Sequence, residues 1–157
     1  MSVSEENQLF ASDFVIGQSF EGRPIEIGDD KFQGFAHITG DNHPIHYDDE
    51  YAATSRYGKR LAHGLLIVSM SALGATPMSQ RLEESMVAFL EQGSRFLKPV
   101  FVGDTLKTIF EVAEVAERSD GETAFVRFDV RQVNQHNDIV ARGHHCYLLK
   151  NSAPDNS

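Results

Sequence analysis

The chain has 157 residues, enough for one domain with its own core, of which 41% are hydrophobic and 24% charged, a balance unlike that of disordered chains. Its net charge of −9, without a basic run long enough to face phosphates, excludes nucleic acid as a general partner. No apolar run reaches bilayer-spanning length, the first residues lack the basic-then-apolar order of a secretory signal, and the single Cys146 can form no internal disulfide, so a cytoplasmic protein without a membrane partner is expected.

In chain order, Phe14 to Ile27 reads as extended segments around the turn Glu21-Gly22-Arg23-Pro24. Asp29 and Asp30 are placed to cap a short helix, with Phe32, Phe35, Ala36 and Ile38 at helical spacing and Gly40 as its stop. A polar segment, Gly40 to Asp48, is stiffened by Pro44, which predicts an extended, non-helical loop. A second short helix follows from Asp48 to Ser55, its acidic start Asp48-Asp49-Glu50 favouring the helix N-terminus. The run His63 to Thr76 is apolar on almost every face, which predicts a helix covered on nearly all sides.

Four strand-type runs then follow, at about Met86 to Phe96, Thr105 to Arg118, Glu122 to Val133 and Ile139 to Leu149. The short connections Ser119-Asp120-Gly121 and Asn134 to Asp138 make the sheet antiparallel. Ala124, Val126, Phe128 and Val130 alternate with Phe125, Arg127, Asp129 and Arg131, giving one apolar face and one largely polar one. The reading is an α+β fold, a curved antiparallel sheet wrapped around a buried helix, as a single domain over 1–157 with loose ends at about 1–10 and 151–157.

Two segments carry candidate chemistry. In Gly40-Asp41-Asn42-His43-Pro44-Ile45-His46, a carboxylate and an imidazole of different basicity are joined across a stiff loop, enough to hold one water between an acceptor and a donor. The plainer alternative makes Asp41 a turn cap and His46 an interior histidine. In Leu61-Ala62-His63-Gly64-Leu65-Leu66, a helix opens on glycine, whose amide a carbonyl oxygen can approach; there the alternative is close packing of helix on sheet. Lys59, Arg60, Arg95 and Lys98 are the candidate cations for an anionic ligand. No His or Cys spacing completes a metal shell, His144 and His145 fall on opposite strand faces, and Met70 and Met78 suit packing or the lining of an acyl tunnel.

Taken together, GDNHPIHYDDEYA, AHGLL and FLKPVFVGDTL resemble, in sequence, order and spacing, the MaoC-like and (R)-specific enoyl-CoA hydratase family, over Phe35 to Lys107. The resemblance implies a hot-dog fold, a homodimer, and hydration or dehydration of an enoyl/3-hydroxyacyl thioester, with CoA entering only as part of the substrate and neither cofactor nor metal. It matches Asp41 and His46 to the catalytic pair and Gly64 to the carbonyl-binding glycine, with Asn42, His43, Pro44 and His63 in possible support. Two positions depart from the pattern: His43 stands where many relatives have Asn before the proline, and Ala72 where some have serine, with Ser69 and Ser71 near but not equivalent. An acyl-CoA thioesterase and a non-catalytic acyl-thioester binder are the competing readings.

Overall fold

The computed structural model describes residues 7–154. Strands β1 (Ser19–Glu21) and β2 (Ile25–Glu26) precede helices α1 (Asp29–Thr39), α2 (Pro44–Tyr47), α3 (Asp49–Thr54), α4 (Gly64–Ser69) and α5 (Met78–Arg81). The long strands β3 (Met86–Phe96), β4 (Thr105–Glu117), β5 (Thr123–Val133) and β6 (Ile139–Lys150) complete the chain. The sheet order is β1-β4-β5-β6-β3, every pair antiparallel, with β2 also on β4. The α+β reading and the four long strands are thus as the sequence predicts.

Alternation along β5 decides which face is covered. Ala124, Val126 and Phe128 are fully buried and Val130 nearly so, whereas Asp129 and Arg131 are exposed. Gln132 falls on the covered face at 3% exposure, and its Nε2 donates to the Ile67 carbonyl at 2.8 Å, fastening α4 to the sheet. One apolar cluster joins this face to Phe14, Met78 and Leu82; a second joins Phe32 of α1, Leu66 and Ile67 of α4, and Val100 and Val140. The cavity lined by the candidate residues shares Phe35 and Ala62 with the second cluster.

The predicted central helix is shorter and less enclosed than its apolar sequence implies. It stops at Met70, and a 3-10 turn, Leu73–Ala75, follows. Hydroxyls compete for its carbonyls: Ser69 Oγ donates to Leu65 and Ser71 Oγ to Val68, at 2.8 and 2.6 Å. One side, Leu66 and Ile67, is buried, while Leu65 remains 68% exposed. Two other local expectations are also corrected. Gly28, not Asp29 or Asp30, is the N-cap of α1, the two aspartates lying in its first turn. Pro44 does not hold a non-helical loop; it occupies the first position of α2, where its fixed φ suits a helix and its missing N–H is not needed.

The chain ends are tied in where described. The Leu9 amide donates to the Arg81 carbonyl at 2.7 Å, Phe10 is buried, and the Asn151 amide donates to Glu122 at 2.8 Å, so residues 7–10 and Asn151 are not loose. The expectation for 1–6 and 155–157 falls outside the described residues. No helix among the described residues is long and apolar enough to cross a membrane.

Candidate active site

The end of α1 sets the first candidate residue. Gly40 turns left-handed, with φ 75°, and its amide closes on Ala36 at 2.8 Å, a conformation glycine adopts without strain. The next residue, Asp41, is aimed by Thr39: Thr39 Oγ1 accepts its amide at 3.2 Å and donates to Phe35 at 2.7 Å. Asp41 Oδ1 then accepts the His43 amide at 3.2 Å, forming an Asx turn that leads into Pro44.

His43 has the extended backbone that a residue before proline requires, and its Nδ1 accepts the Ile45 amide at 3.2 Å, capping α2. The imidazole therefore does at this position what a short polar cap would do. Asn42, His43 and Pro44 support the loop and do not line the cavity below.

His46, in α2, is held from the second motif. The Leu61 amide donates to Ile45 at 3.2 Å, and His46 Nδ1 lies 2.5 Å from the Leu61 carbonyl. Because a carbonyl can only accept, Nδ1 carries a proton, and in the neutral ring Nε2 is then the nitrogen with the lone pair. The Leu61 segment is anchored in turn, with the Ala62 amide on Val100 at 2.8 Å.

His63 stacks on His46 with ring centroids 3.8 Å apart and planes 27° apart. Tyr47 OH donates to the Phe32 carbonyl at 3.1 Å, so at its 2.7 Å contact with His63 it accepts from Nε2–H. Nδ1 of His63 keeps its lone pair and, enclosed, has no partner among the described residues. Burial, and next the neighbouring His46, push the His63 pKa down to about 4, against a smaller opposing pull from Asp41. A neutral ring therefore backs His46 at neutral pH. Burial, and next Asp41, raise the Tyr47 phenol above its usual range, so it stays a neutral hydroxyl.

Asp41, His46, His63 and Gly64 line one cavity of about 350 Å³ with Phe35, Thr39, Leu61, Ala62 and Leu65. Ligating atoms of Asp41, His46 and His63 all lie within 4.8 Å of one another. The donor types suit a divalent metal, but stacked imidazoles hold their lone pairs in nearly parallel planes, which converge poorly on one ion.

Gly64 opens α4, and its lack of a side chain serves packing too: a Cβ there would lie 2.9 Å from Cε2 and Cζ of Phe96. Gly64, Leu61 and Ala62 also wall a second cavity, of about 470 Å³, that includes Arg56, Tyr57, Phe96 and Lys98.

Of the predicted cations, none lines the Asp41 cavity. Arg60 is held by Asp29 at 2.6 Å and Asp49 at 2.9 Å, joining α1 to α3. Lys59 sits over Phe101, Lys98 pairs with Asp138 at 2.7 Å, and Arg95 lies on the outer face of the sheet. Met78 packs in the first core cluster and Met70 against the second, away from the Asp41 cavity. Ala72 is exposed and brings no hydroxyl to the site. The sequence reading gave no role to Tyr47, Leu61 or Phe96. The adjacency of Tyr47 to His46 was the available signal for the first; a backbone carbonyl and a partner from a distant strand leave none.

The family model for the MaoC-like domain matches residues 12–134, most of the chain. The chain belongs to the MaoC-like domain family. Its similarity to a 3-hydroxybutyryl-CoA dehydratase of Methylorubrum extorquens is 37% identity over 107 residues, 68% of this chain and 66% of that protein. An R-hydratase of Pseudomonas aeruginosa superposes with a TM-score of 0.73 at 27% identity, over 96% of this chain and 94% of that one. A Mycobacterium tuberculosis protein with a double hot-dog fold gives 0.79 at 22% identity, covering 96% of this chain and 46% of that one, a likeness of fold alone. The matches span 60 to 66% of the length of such curated MaoC-like relatives. The fold is therefore a hot dog, as the motif resemblance implies.

Proposed function

We propose that the protein is a hydro-lyase that adds water to, or removes it from, the C2–C3 bond of an enoyl/3-hydroxyacyl thioester, with CoA as the carrier. One observation carries this reading. The His46 ring, with Nδ1–H on the Leu61 carbonyl, keeps a basic nitrogen in the cavity that also holds the Asp41 carboxylate and Gly64. In the hydration direction, His46 and Asp41 orient a water and take its proton as its oxygen bonds to C3. The electron pair of the C2–C3 double bond moves toward the thioester carbonyl, polarised by the Gly64 amide, and a proton then returns to C2. A well-aimed amide of this kind contributes ~3 kcal/mol to the transition state. The names of the dehydratase and R-hydratase relatives support the reaction class and the (R) product.

Because the two cavities share Gly64, the acyl end belongs in the one with Asp41 and the carrier arm in the other, where Arg56 and Lys98 suit its phosphates. The protein works as a homodimer in this reading. Strand β3 is a sheet edge and exposes Val87, Phe89, Leu90 and Phe96, between 47% and 57% each, which self-pairing would cover. Light scattering of the purified chain should give twice the monomer mass.

The reaction is tested by following enoyl absorbance and thiol release in parallel over a panel of enoyl thioesters, with chiral analysis of the product. Loss of the enoyl signal without free thiol, and an (R)-3-hydroxyacyl product, are expected. Thiol release matching substrate loss would make the protein a thioesterase, and binding with neither signal a non-catalytic carrier.

A further inference from the structure

The outer face of the sheet, opposite α4, carries a charge arrangement that the candidate site does not use. Arg131 of β5 lies directly opposite Arg142 of β6, and Arg142 directly opposite Arg95 of β3. Directly opposed residues of antiparallel strands project to the same face, so three arginines stand abreast across strands ~5 Å apart. Arg127, four residues before Arg131 on the same strand, adds a fourth to that face. Four of the chain's nine arginines are gathered here although its net charge is −9. Like charges set directly opposite destabilise a sheet.

The protein's own carboxylates offset this charge only partly. Arg127 reaches Asp129 at 3.4 Å and Arg131 reaches Glu111 at 3.8 Å, in pairs open enough to water to be weak. Among the described residues, no carboxylate lies within 4.0 Å of the Arg95 or Arg142 guanidinium. The Nε–H of Arg127 is enclosed and has no acceptor among the described residues. Arg127, Arg131, Arg142, His144 and Asp129 line a groove of about 430 Å³.

We propose that this groove binds a small molecule carrying two adjacent phosphate groups, distinct from the thioester that lies against Gly64. Guanidinium forks match phosphate oxygens in pairs, which selects phosphate over a diffuse counterion. One phosphate carries a charge of about −1.5 to −2, too little for three guanidiniums, whereas two adjacent phosphates match them. A free nucleoside diphosphate and the diphosphate of a carrier molecule share this chemistry.

Calorimetric titration of the full chain with inorganic pyrophosphate, ADP and CoA tests the proposal. Saturable binding of pyrophosphate, one per chain, is expected, weakened at least tenfold by Arg142→Gln and by Arg131→Gln and unchanged by Lys59→Gln. It should persist in Gly64→Pro, which removes the amide of the proposed thioester site, so the outcome is independent of whether the chain is a hydratase. ADP binding weakened by Arg142→Gln identifies a free nucleotide as one source, and CoA binding weakened by it a carrier molecule held on this face; both support the groove. Absence of saturable pyrophosphate binding, equal affinity in Arg142→Gln, or loss of binding in a Gly64→Pro chain whose circular dichroism is unchanged overturns it.

Discussion

At the scale of single residues, the two motifs converge because one backbone carbonyl orients one ring. With Nδ1–H on Leu61, His46 leaves Nε2 free for the base role proposed for it, while Asp41 is aimed by Thr39. Asp41→Asn and His46→Gln keep approximate shape and lose the titrating function, so each should lower turnover by ~10²- to 10⁴-fold. Unchanged circular dichroism would show the fold retained; near wild-type turnover in either would remove that residue from the mechanism. Gly64 can be separated from its packing role. If contact with Phe96 is all that matters, Gly64→Ala with Phe96→Ala restores activity; if a carbonyl must reach the amide closely, the double variant stays slow, which is the expected result. Asp41, His46 and Gly64 were legible as a set because their residue types and spacing survive in the sequence. Arg60 misled, since nothing in the sequence tells an arginine that joins two helices from one that waits for a ligand.

At the scale of elements, the strands were legible almost to the residue, because a covered face writes itself as period-two alternation in β5 and the loops between strands are short. The helix at 64–69 was overextended. Its apolar sequence continues to Leu73, and what stops it is side-chain hydroxyls bonding back to its carbonyls, which hydrophobic pattern does not encode. Its end is clamped to β6. Tyr147 OH, 3.1 Å from His145 Nδ1, donates to it; His145 Nε2–H donates to Ser71 Oγ at 3.3 Å; Ser71 in turn donates to Val68. Ser71→Ala would leave the buried Nε2–H without an acceptor, and a loss of ~1–3 kcal/mol in urea unfolding is expected. An unchanged midpoint would mean that the serine contributes nothing to holding the helix end.

For the molecule as a whole, two enclosed histidines set the acid limit of stability. Burial, followed by a neighbouring imidazole, pushes both His63 and His145 from the ordinary 6.5 down to about 4. Between those values the unfolded chain binds protons that the folded chain refuses, so stability is fully present above about pH 6.5 and falls as pH drops toward 4. At about 1.4 kcal/mol per pKa unit, the loss is on the order of a few kcal/mol. Denaturant melts across this range should show it, and His145→Phe should flatten the slope; an equal slope in that variant would sink the account. The pairing of Ile45 with Leu61 has a dynamic consequence as well. The segment that steadies the His46 ring runs on, three residues later, into Gly64, so the proton-handling half and the carbonyl-handling half of the proposed site are parts of one lever. Such a site cannot half open: an excursion that frees the Leu61 amide to exchange with solvent also misaligns the proposed base and moves the Gly64 amide. Catalysis on warming should therefore fade in a single step that keeps time with that one amide.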